Sequence, residues 1–348
     1  MTTYPLHPSA AFADSPPPLL GTWVATPIVT TVMVLATVAY LVATVVARRR
    51  GNRWSLLHVG SWVIAMALLV VALNSCLRVL ADHLFWAHMV VHLMLITVVP
   101  LFLVLAQPIR LTAATGARVD RVLHAILGNV VVRVCTSPIL GLPLYAGVLV
   151  GTHLTGFQDY ALAHSWAQNL EYLLYLVAGW LFMLPLIGDE LCGHRLSHPL
   201  RFASFLVSMG PDTLVGVTLM MTSSEIAPRY ALSHPGWGPS GLSDQSSAGA
   251  IMWFGGDGLM MILLLVVAWL WISAEGVGDR RDRGGSMGTW LDSARRGALL
   301  GDAAGPAPTS RSDGAGGEGT DTDDIDADDA ALAAYNARLQ ELNRRQQR

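Results

Sequence analysis

Two histidines four residues apart form a candidate metal-binding pair. His88 and His92 lie at the start of an apolar run that extends to Leu105. On a helix, this spacing places both imidazoles on one face, one turn apart. Met94 is close by in sequence, and copper and other late transition metals accept both imidazole and thioether ligands. The pair therefore predicts a metal site, although two histidines at a helix end could also simply pack at the membrane interface.

Two further residues are candidates to complete this site. His153 is expected at the outer end of the fourth apolar segment, and Glu171 opens the fifth. A tight site needs three or four ligands, and residues on the same side of the membrane can supply them. We therefore predict a metal site formed by His88, His92, His153 and Glu171, provided that the fold brings them together.

Two carboxylates are expected inside the membrane. Asp212 falls near the middle of the sixth apolar segment, and Asp257 falls in the outer half of the seventh. A carboxylate at this depth must be protonated, paired or placed in a water-filled cavity. Asp212 is therefore either paired structurally with a neighbouring helix or involved in catalysis or ion relay. Asp257 is one candidate partner.

The composition is that of a protein that crosses a membrane several times. The chain is 53% hydrophobic and only 14% charged, whereas soluble domains carry about a quarter charged residues. Seven apolar segments are each close to the roughly 20 residues that cross a bilayer as a helix. We predict an all-α seven-transmembrane-helix bundle with spans near residues 27–47, 55–76, 85–105, 135–153, 169–187, 202–222 and 250–272.

The arginines predict how this bundle is oriented, because cytoplasmic loops carry an excess of positive charge. One set of loops holds only Arg78 and Arg229. The alternate set is rich in arginine: Arg48, Arg49, Arg50, Arg53, Arg110, Arg118, Arg121, Arg133, Arg195, Arg201, Arg280, Arg281 and Arg283. The N-terminus is therefore predicted outside and the C-terminus in the cytoplasm of a bacterial cell, with the candidate metal ligands on the outer side.

The segments outside the bundle predict three further regions. Residues 1–26 form an extracytoplasmic segment without the features of a signal peptide. Residues 276–322 are rich in Gly, Asp and Ser and are expected to be a disordered cytoplasmic linker. Residues 323–348 run from acidic to basic and are expected to form a helix. The three cysteines form no CxxC pair, so neither a disulfide framework nor a thiolate site is indicated.

A motif at the start of the last span is expected to be a loop that leads into the helix. Ser243 or Asp244 can cap the N-terminus of that helix, and Trp253 suits the interfacial aromatic belt. Asp244, Gln245 and Trp253 also form the most distinctive motif of the family resemblance described next.

Several segments in order resemble the bacterial CtaG-type cytochrome c oxidase assembly factors, a family of multi-spanning membrane proteins. The resemblance covers about residues 50–275. The segments that carry it are His88-Met89-Val90-Val91-His92-Leu93-Met94-Leu95, Pro100, Gln107-Pro108, Ser137-Pro138, Leu170-Glu171 and Asp244-Gln245-x-x-x-Gly249-x-x-Met252-Trp253.

This resemblance implies a protein that helps to mature a haem-copper oxidase by handling or delivering copper outside the plasma membrane. The resemblance also implies that the protein contacts the catalytic subunit of the oxidase as well as the lipid bilayer. We expect no nucleic-acid partner and no enzymatic turnover. Because a delivery protein must bind and release its metal, we expect an exposed, labile His/Met site.

Two other functions remain open on the residues alone. Histidines can ligate haem iron in a membrane electron-transfer protein, but His88 and His92 share one helix face and cannot occupy opposite axial positions of one haem. A copper or proton transporter could use Asp212 and Asp257. The sequence shows no internal repeat, which counts mildly against transport.

Overall fold

The computed structural model describes residues 3–4, 22–188, 190, 196–234 and 236–273. These residues belong to a compact unit, Met1–Asp279, and the second unit, Arg280–Arg348, lies outside the described residues. The predicted linker at 276–322 and the predicted helix at 323–348 also lie outside them, as does most of the predicted segment 1–26.

The described part of the chain is almost entirely helical, apart from two two-residue strands that pair in parallel. The strands are β1 (Thr3–Tyr4) and β2 (Trp23–Val24). The helices are α1 (Pro27–Arg49), α2 (Leu56–Asn74), α3 (Cys76–Ala81), α4 (Phe85–Leu93), α5 (Val99–Leu105), α6 (Pro108–Ala113), α7 (Ala117–Leu127), α8 (Val130–Cys135), α9 (Pro138–His153), α10 (Phe157–Ala163), α11 (Ser165–Ile187), α12 (His198–Met221), α13 (Pro228–Ser233), α14 (Gly241–Ala250) and α15 (257–273). Two π-helical turns, Met94–Val98 and Ile251–Gly256, join α4 to α5 and α14 to α15.

Six helical stretches are long and apolar enough to cross a membrane: Pro27–Arg49, Leu56–Asn74, Phe85–Ala113, Ser165–Ile187, His198–Met221 and Gly241–Ser273. A seventh span results if α9 and α10 count as one, since these two helices bend by 71° at the break between them. The predicted multi-spanning all-α fold is thus confirmed, with six or seven spans. The N-outside, C-inside orientation remains a prediction.

The predicted loop motif lies on a helix. α14 begins at Gly241, about nine residues before the predicted start of the last span, so Asp244 and Gln245 are helical and Trp253 lies in the second π-helical turn. The loop assignment was wrong because the Ser, Gly and Asp residues of α14 lower its hydropathy. Asp244 and Gln245 are nevertheless buried, so tertiary contacts compensate for their polarity.

The interior of the bundle forms around α4, α5 and α11. α11 contacts α5, α9 and the first π-helical turn. At Gly179 the approach is so close that any Cβ would collide with the carbonyl oxygen of Ile96, which is how small residues let membrane helices meet backbone to backbone. This contact sets a register in which the first half of α11, with Glu171, lies beside α4, with His88.

Candidate metal site

Helix α4 carries His88 and His92, and its N-terminus is held by a carboxylate from another helix. Asp244 of α14 accepts hydrogen bonds from the backbone N–H groups of Phe85 (2.7 Å) and Trp86 (2.9 Å). It thereby satisfies two of the free donors at the start of α4 and places negative charge at the positive end of the helix dipole. Asp244 was predicted to cap its own helix; instead it fixes the helix that carries the histidine pair.

The fold brings the four predicted metal ligands together. The ring of His153, at the end of α9, lies 4.7 Å from that of His92 and 5.9 Å from that of His88. Oε1 of Glu171, in α11, lies 3.6 Å from Nε2 of His88. All four side chains are at most 1% exposed. We call His88, His92, His153 and Glu171 the histidine cluster; its role in metal binding stays a prediction.

Several side-chain nitrogens of the histidine cluster have no hydrogen-bond partner among the described residues. His153 donates from Nδ1 to the carbonyl oxygen of Leu149 (2.9 Å), which leaves the lone pair on its Nε2 available. That Nε2 atom, both ring nitrogens of His92 and Nδ1 of His88 are buried and unpartnered. Buried polar atoms without partners are costly. An imidazole held through one nitrogen while the other stays free is the usual arrangement of a metal ligand.

The cluster is not arranged as a coordination sphere. Within the described residues, no group of three or more His, Cys, Asp or Glu side chains could hold a metal ion as placed. The side chains are thus neighbours whose donor atoms do not converge on one point. Gln158 of α10 lies between His88 and Glu171. Its Nε2 donates to Nε2 of His88 (3.3 Å) and to Oε1 of Glu171.

The site is closed, contrary to the expected exposed, labile His/Met site. Gln158 is 1% exposed and lies beyond the 71° bend between α9 and α10, so α10 folds back over the cluster. Arg229 holds α10 from outside: its guanidinium lies 3.6 Å from the Asp159 carboxylate, which also accepts its backbone N–H (3.1 Å). His164, the other external histidine of this region, is exposed and stacks on Tyr160 instead.

Tyrosines complete the walls of the cluster. The Tyr175 ring lies 4.3 Å from the ring of His92, and its hydroxyl donates to Glu171. Tyr172 and Tyr230 each place a ring just over 6 Å from that of His88. The sequence analysis missed Gln158 and these tyrosines. Tyr175 had a usable signal, since it lies one helical turn after Glu171.

A buried ion pair flanks the cluster. Arg78 pairs with Asp82 and donates to Oε1 of Gln168 (2.8 Å), and its guanidinium lies 5.0 Å from the centre of the Tyr172 ring. Burial is the largest single effect and lowers the pKa of Arg78, but the charge and hydrogen bond of Asp82 together with the nearby Tyr172 and Tyr230 outweigh it and raise that pKa above its ordinary value. Arg78 therefore keeps its positive charge beside a ring that also lines the histidine cluster.

The two intramembrane carboxylates have separate hydrogen-bond partners. Tyr145 of α9 donates its hydroxyl to Asp212, with oxygen distances of 3.0 and 3.2 Å, and Asp212 is fully buried. Asp257 accepts from the hydroxyl of Thr213 (2.6 Å). Asp212 is thus paired structurally with a neighbouring helix, but through Tyr145 and not through Asp257. A role in ion relay stays a prediction for both.

Gln245 and Trp253 have structural contacts of their own. Oε1 of Gln245 accepts the backbone N–H of Ile226 (2.8 Å), and its Nε2 donates to the carbonyl oxygens of Leu219 and Ser224 (both 3.2 Å). Trp253 packs against Gly216 of α12. Both residues therefore fasten the last span to α12 and to the loop that follows it, and neither reaches the histidine cluster through these contacts.

Comparison with known proteins gives a family match over most of the membrane domain. Residues 38–274 match the family model described as cytochrome c oxidase caa3 assembly factor. An uncharacterized protein of Mycobacterium bovis is 27% identical over 249 residues, which cover 68% of this chain and 37% of that protein. An uncharacterized protein of Mycobacterium leprae is 25% identical over 256 residues, 71% of this chain and 39% of that protein. The chain thus aligns with less than two-fifths of the length of these relatives, and no solved structure matches it.

Proposed function

Because the chain belongs to the cytochrome c oxidase caa3 assembly factor family, we propose that it serves oxidase assembly by handling copper in the histidine cluster. Membership of the family implies a role in assembling a caa3-type oxidase. Our proposal adds that the cargo is copper and that the residues of the histidine cluster bind it. The client would be the catalytic subunit, at the copper centre beside its high-spin haem.

One observation carries the copper proposal: three buried imidazoles lie side by side with unpartnered nitrogens. Imidazole is a good ligand for copper, and a bound ion would satisfy atoms that otherwise remain costly to bury. His88, His92 and His153 would hold the ion, and Glu171 would supply a fourth ligand or balance its charge. Such a protein binds and releases its cargo and does not need to turn over a substrate.

Loading requires that Gln158 leaves its present place. Its amide donates to both His88 and Glu171, so a cation that binds these two residues must displace it. α10 can supply this movement, because it is a short helix beyond a sharp break and its outer contact to Arg229 is partly exposed. In this proposal, the amide of Gln158 covers two of the proposed ligands until a cation displaces it.

Copper titration of the purified full-length protein tests this proposal. We expect the wild type to take up one Cu(I) from a competing chelator under anaerobic conditions. The double variant His88→Ala, His92→Ala should lose about 100-fold or more in affinity, since loss of a group that only hydrogen-bonds to a metal ligand already costs about 10–100-fold. His164→Ala is the matched control, since His164 is exposed and lies outside the cluster. Wild-type affinity in the double variant would contradict the proposal.

A further inference from the structure

An apolar groove of about 580 Å³ opens between α1, α2, α6 and α7, away from the histidine cluster. It is lined by Ala36, Ala39, Tyr40, Ala43, Leu111 and Val119, among others. The rings of Tyr40 and Trp62 stack at its base, with centroids 4.3 Å apart. The hydroxyl of Tyr40 donates to the carbonyl oxygen of Ala106 (2.8 Å). Its polar group is thus already engaged, which keeps the groove apolar.

The length of the groove matches one leaflet of a bilayer. Along α1 it extends from Ala36 to Val46, about 15 Å at 1.5 Å per residue. The hydrocarbon core of a bilayer is about 30 Å thick, so the groove spans half of it. The small side chains of Ala36, Ala39 and Ala43 leave room along α1 for an acyl chain.

One end of the groove carries a cluster of arginines. α1 ends at Arg48 and Arg49, and the guanidinium of Arg50 lies so close to Gly116 that a Cβ there would collide with it. Arg118 follows two residues later, at the start of α7. Asn52 donates to the carbonyl oxygen of Ala114 (3.1 Å) and ties the two segments together. The end of α1 and the start of α7 thus form one positively charged rim.

The acidic residues near this rim already have partners. Asp120 lies 3.2 Å from the imidazole of His124. Glu190 accepts the backbone N–H groups of Ile109 (3.1 Å) and Arg110 (2.8 Å). Arg50 and Arg118 are both exposed, so their charge is directed at the surface, next to the apolar groove.

Helix α7 has the pattern of a helix that lies in the membrane interface. Val119, Val122 and Ile126 fall on one side of it and are 38%, 54% and 51% exposed, while Arg118 lies at the edge of this side and Arg121 farther round the helix. An exposed apolar face next to basic residues is typical of helices that lie on anionic membranes. This places the arginine rim at headgroup depth.

We propose that this groove binds one anionic phospholipid of the leaflet on the arginine-rich side, which is the predicted cytoplasmic side. An acyl chain lies along Ala36, Ala39 and Ala43, and the headgroup phosphate contacts Arg50 and Arg118. Basic pockets between membrane helices recognise anionic headgroups in this way, and guanidinium groups match phosphate geometry. The site is independent of copper.

Native mass spectrometry of the full-length protein tests this site. Phosphatidylglycerol and phosphatidylcholine with identical acyl chains are offered in equal amounts. We expect the wild type to retain phosphatidylglycerol preferentially, and Arg50→Gln and Arg118→Gln each to weaken retention about fivefold, since one basic residue near the surface contributes about 1 kcal/mol. Arg133→Gln is the control on α8, outside the groove, and should have no such effect.

Filling the groove tests the acyl part of the site. Ala39→Phe should abolish retention, and the smaller Ala39→Leu should reduce it. Val34→Phe is the matched control, since Val34 is 55% exposed on α1 and does not line the groove. Because both positions are exposed, the variants should keep the thermal unfolding temperature of the wild type. Equal retention of the two lipids, an equal loss in Arg133→Gln, or full retention in Ala39→Phe would each overturn the proposal.

Discussion

At the scale of single residues, Gln158 decides whether the histidine cluster is open or covered. Its amide donates to an imidazole and to a carboxylate that are themselves only 3.6 Å apart. A neutral amide in this position satisfies the same two atoms that a cation would. Gln158 therefore stabilises the cluster as it stands and would compete with a metal ion for the proposed ligands His88 and Glu171.

Removal of this amide should strengthen copper binding. In Gln158→Ala, the ion no longer has to displace two hydrogen bonds, each of which contributes about 1 kcal/mol or more. We expect Cu(I) affinity to rise about tenfold or more and loading to become faster, as measured by competition with a chelator and by stopped-flow mixing. Gln168→Ala is a control, since Gln168 contacts Asp82 and Arg78 and not the cluster. Unchanged affinity in Gln158→Ala would show that the amide does not compete with the metal.

At the scale of helices, three features position the cluster, and the first two are the cap on α4 and the break between α9 and α10. The cap by Asp244 fixes where α4 begins, and hence where His88 lies one turn later. The break carries Gln158 back onto the cluster. The π-helical turn after α4 adds a third, because it shifts the register of α5 relative to the histidines, and such turns are frequent at functional sites.

Loss of the cap on α4 should affect both stability and copper binding. Asp244→Ala removes both acceptors at the start of α4, and we expect a loss of about 1–2 kcal/mol in the free energy of unfolding together with weaker Cu(I) binding. Asp244→Asn retains an acceptor oxygen, so its stability and its Cu(I) affinity should lie between those of Asp244→Ala and the wild type. Ser243→Ala is the control, since Ser243 is exposed on the same helix. Equal Cu(I) affinity in Asp244→Ala and the wild type would mean that the cap does not position the histidines.

These features show where prediction from sequence succeeds and where it fails. His88 and His92 could be paired because their spacing is local, and His153 and Glu171 could be added because both fall near span ends on one side. Gln158 could not be found, since no local pattern encodes the 71° bend that brings it back. Asp244 was assigned to its own helix because that is the nearest N-terminus in sequence, whereas its actual partners, Phe85 and Trp86, are about 160 residues away along the chain.

At the scale of the whole molecule, the chain combines a buried polar cluster with a largely lipid-facing periphery. α4, α5 and α11 form the interior, whereas α1 is mostly exposed and borders the proposed lipid groove. The expected exposed site was wrong because α10 covers it, and exposure of a side chain depends on such distant segments. Delivery to an oxidase would then need α10 to open, which a contact with the catalytic subunit could induce.

The most direct test measures the oxidase itself. In membranes from a strain that lacks this gene, we would determine copper per haem a in the purified oxidase, with the reduced-minus-oxidised haem spectrum as the measure of haem insertion. We expect haem a to be present, the copper beside the high-spin haem to be missing and activity to be lost. The wild-type gene should restore the copper content and the activity, and the gene with His88→Ala and His92→Ala should restore neither. An oxidase with its full copper content in the strain without the gene would contradict the role in copper handling.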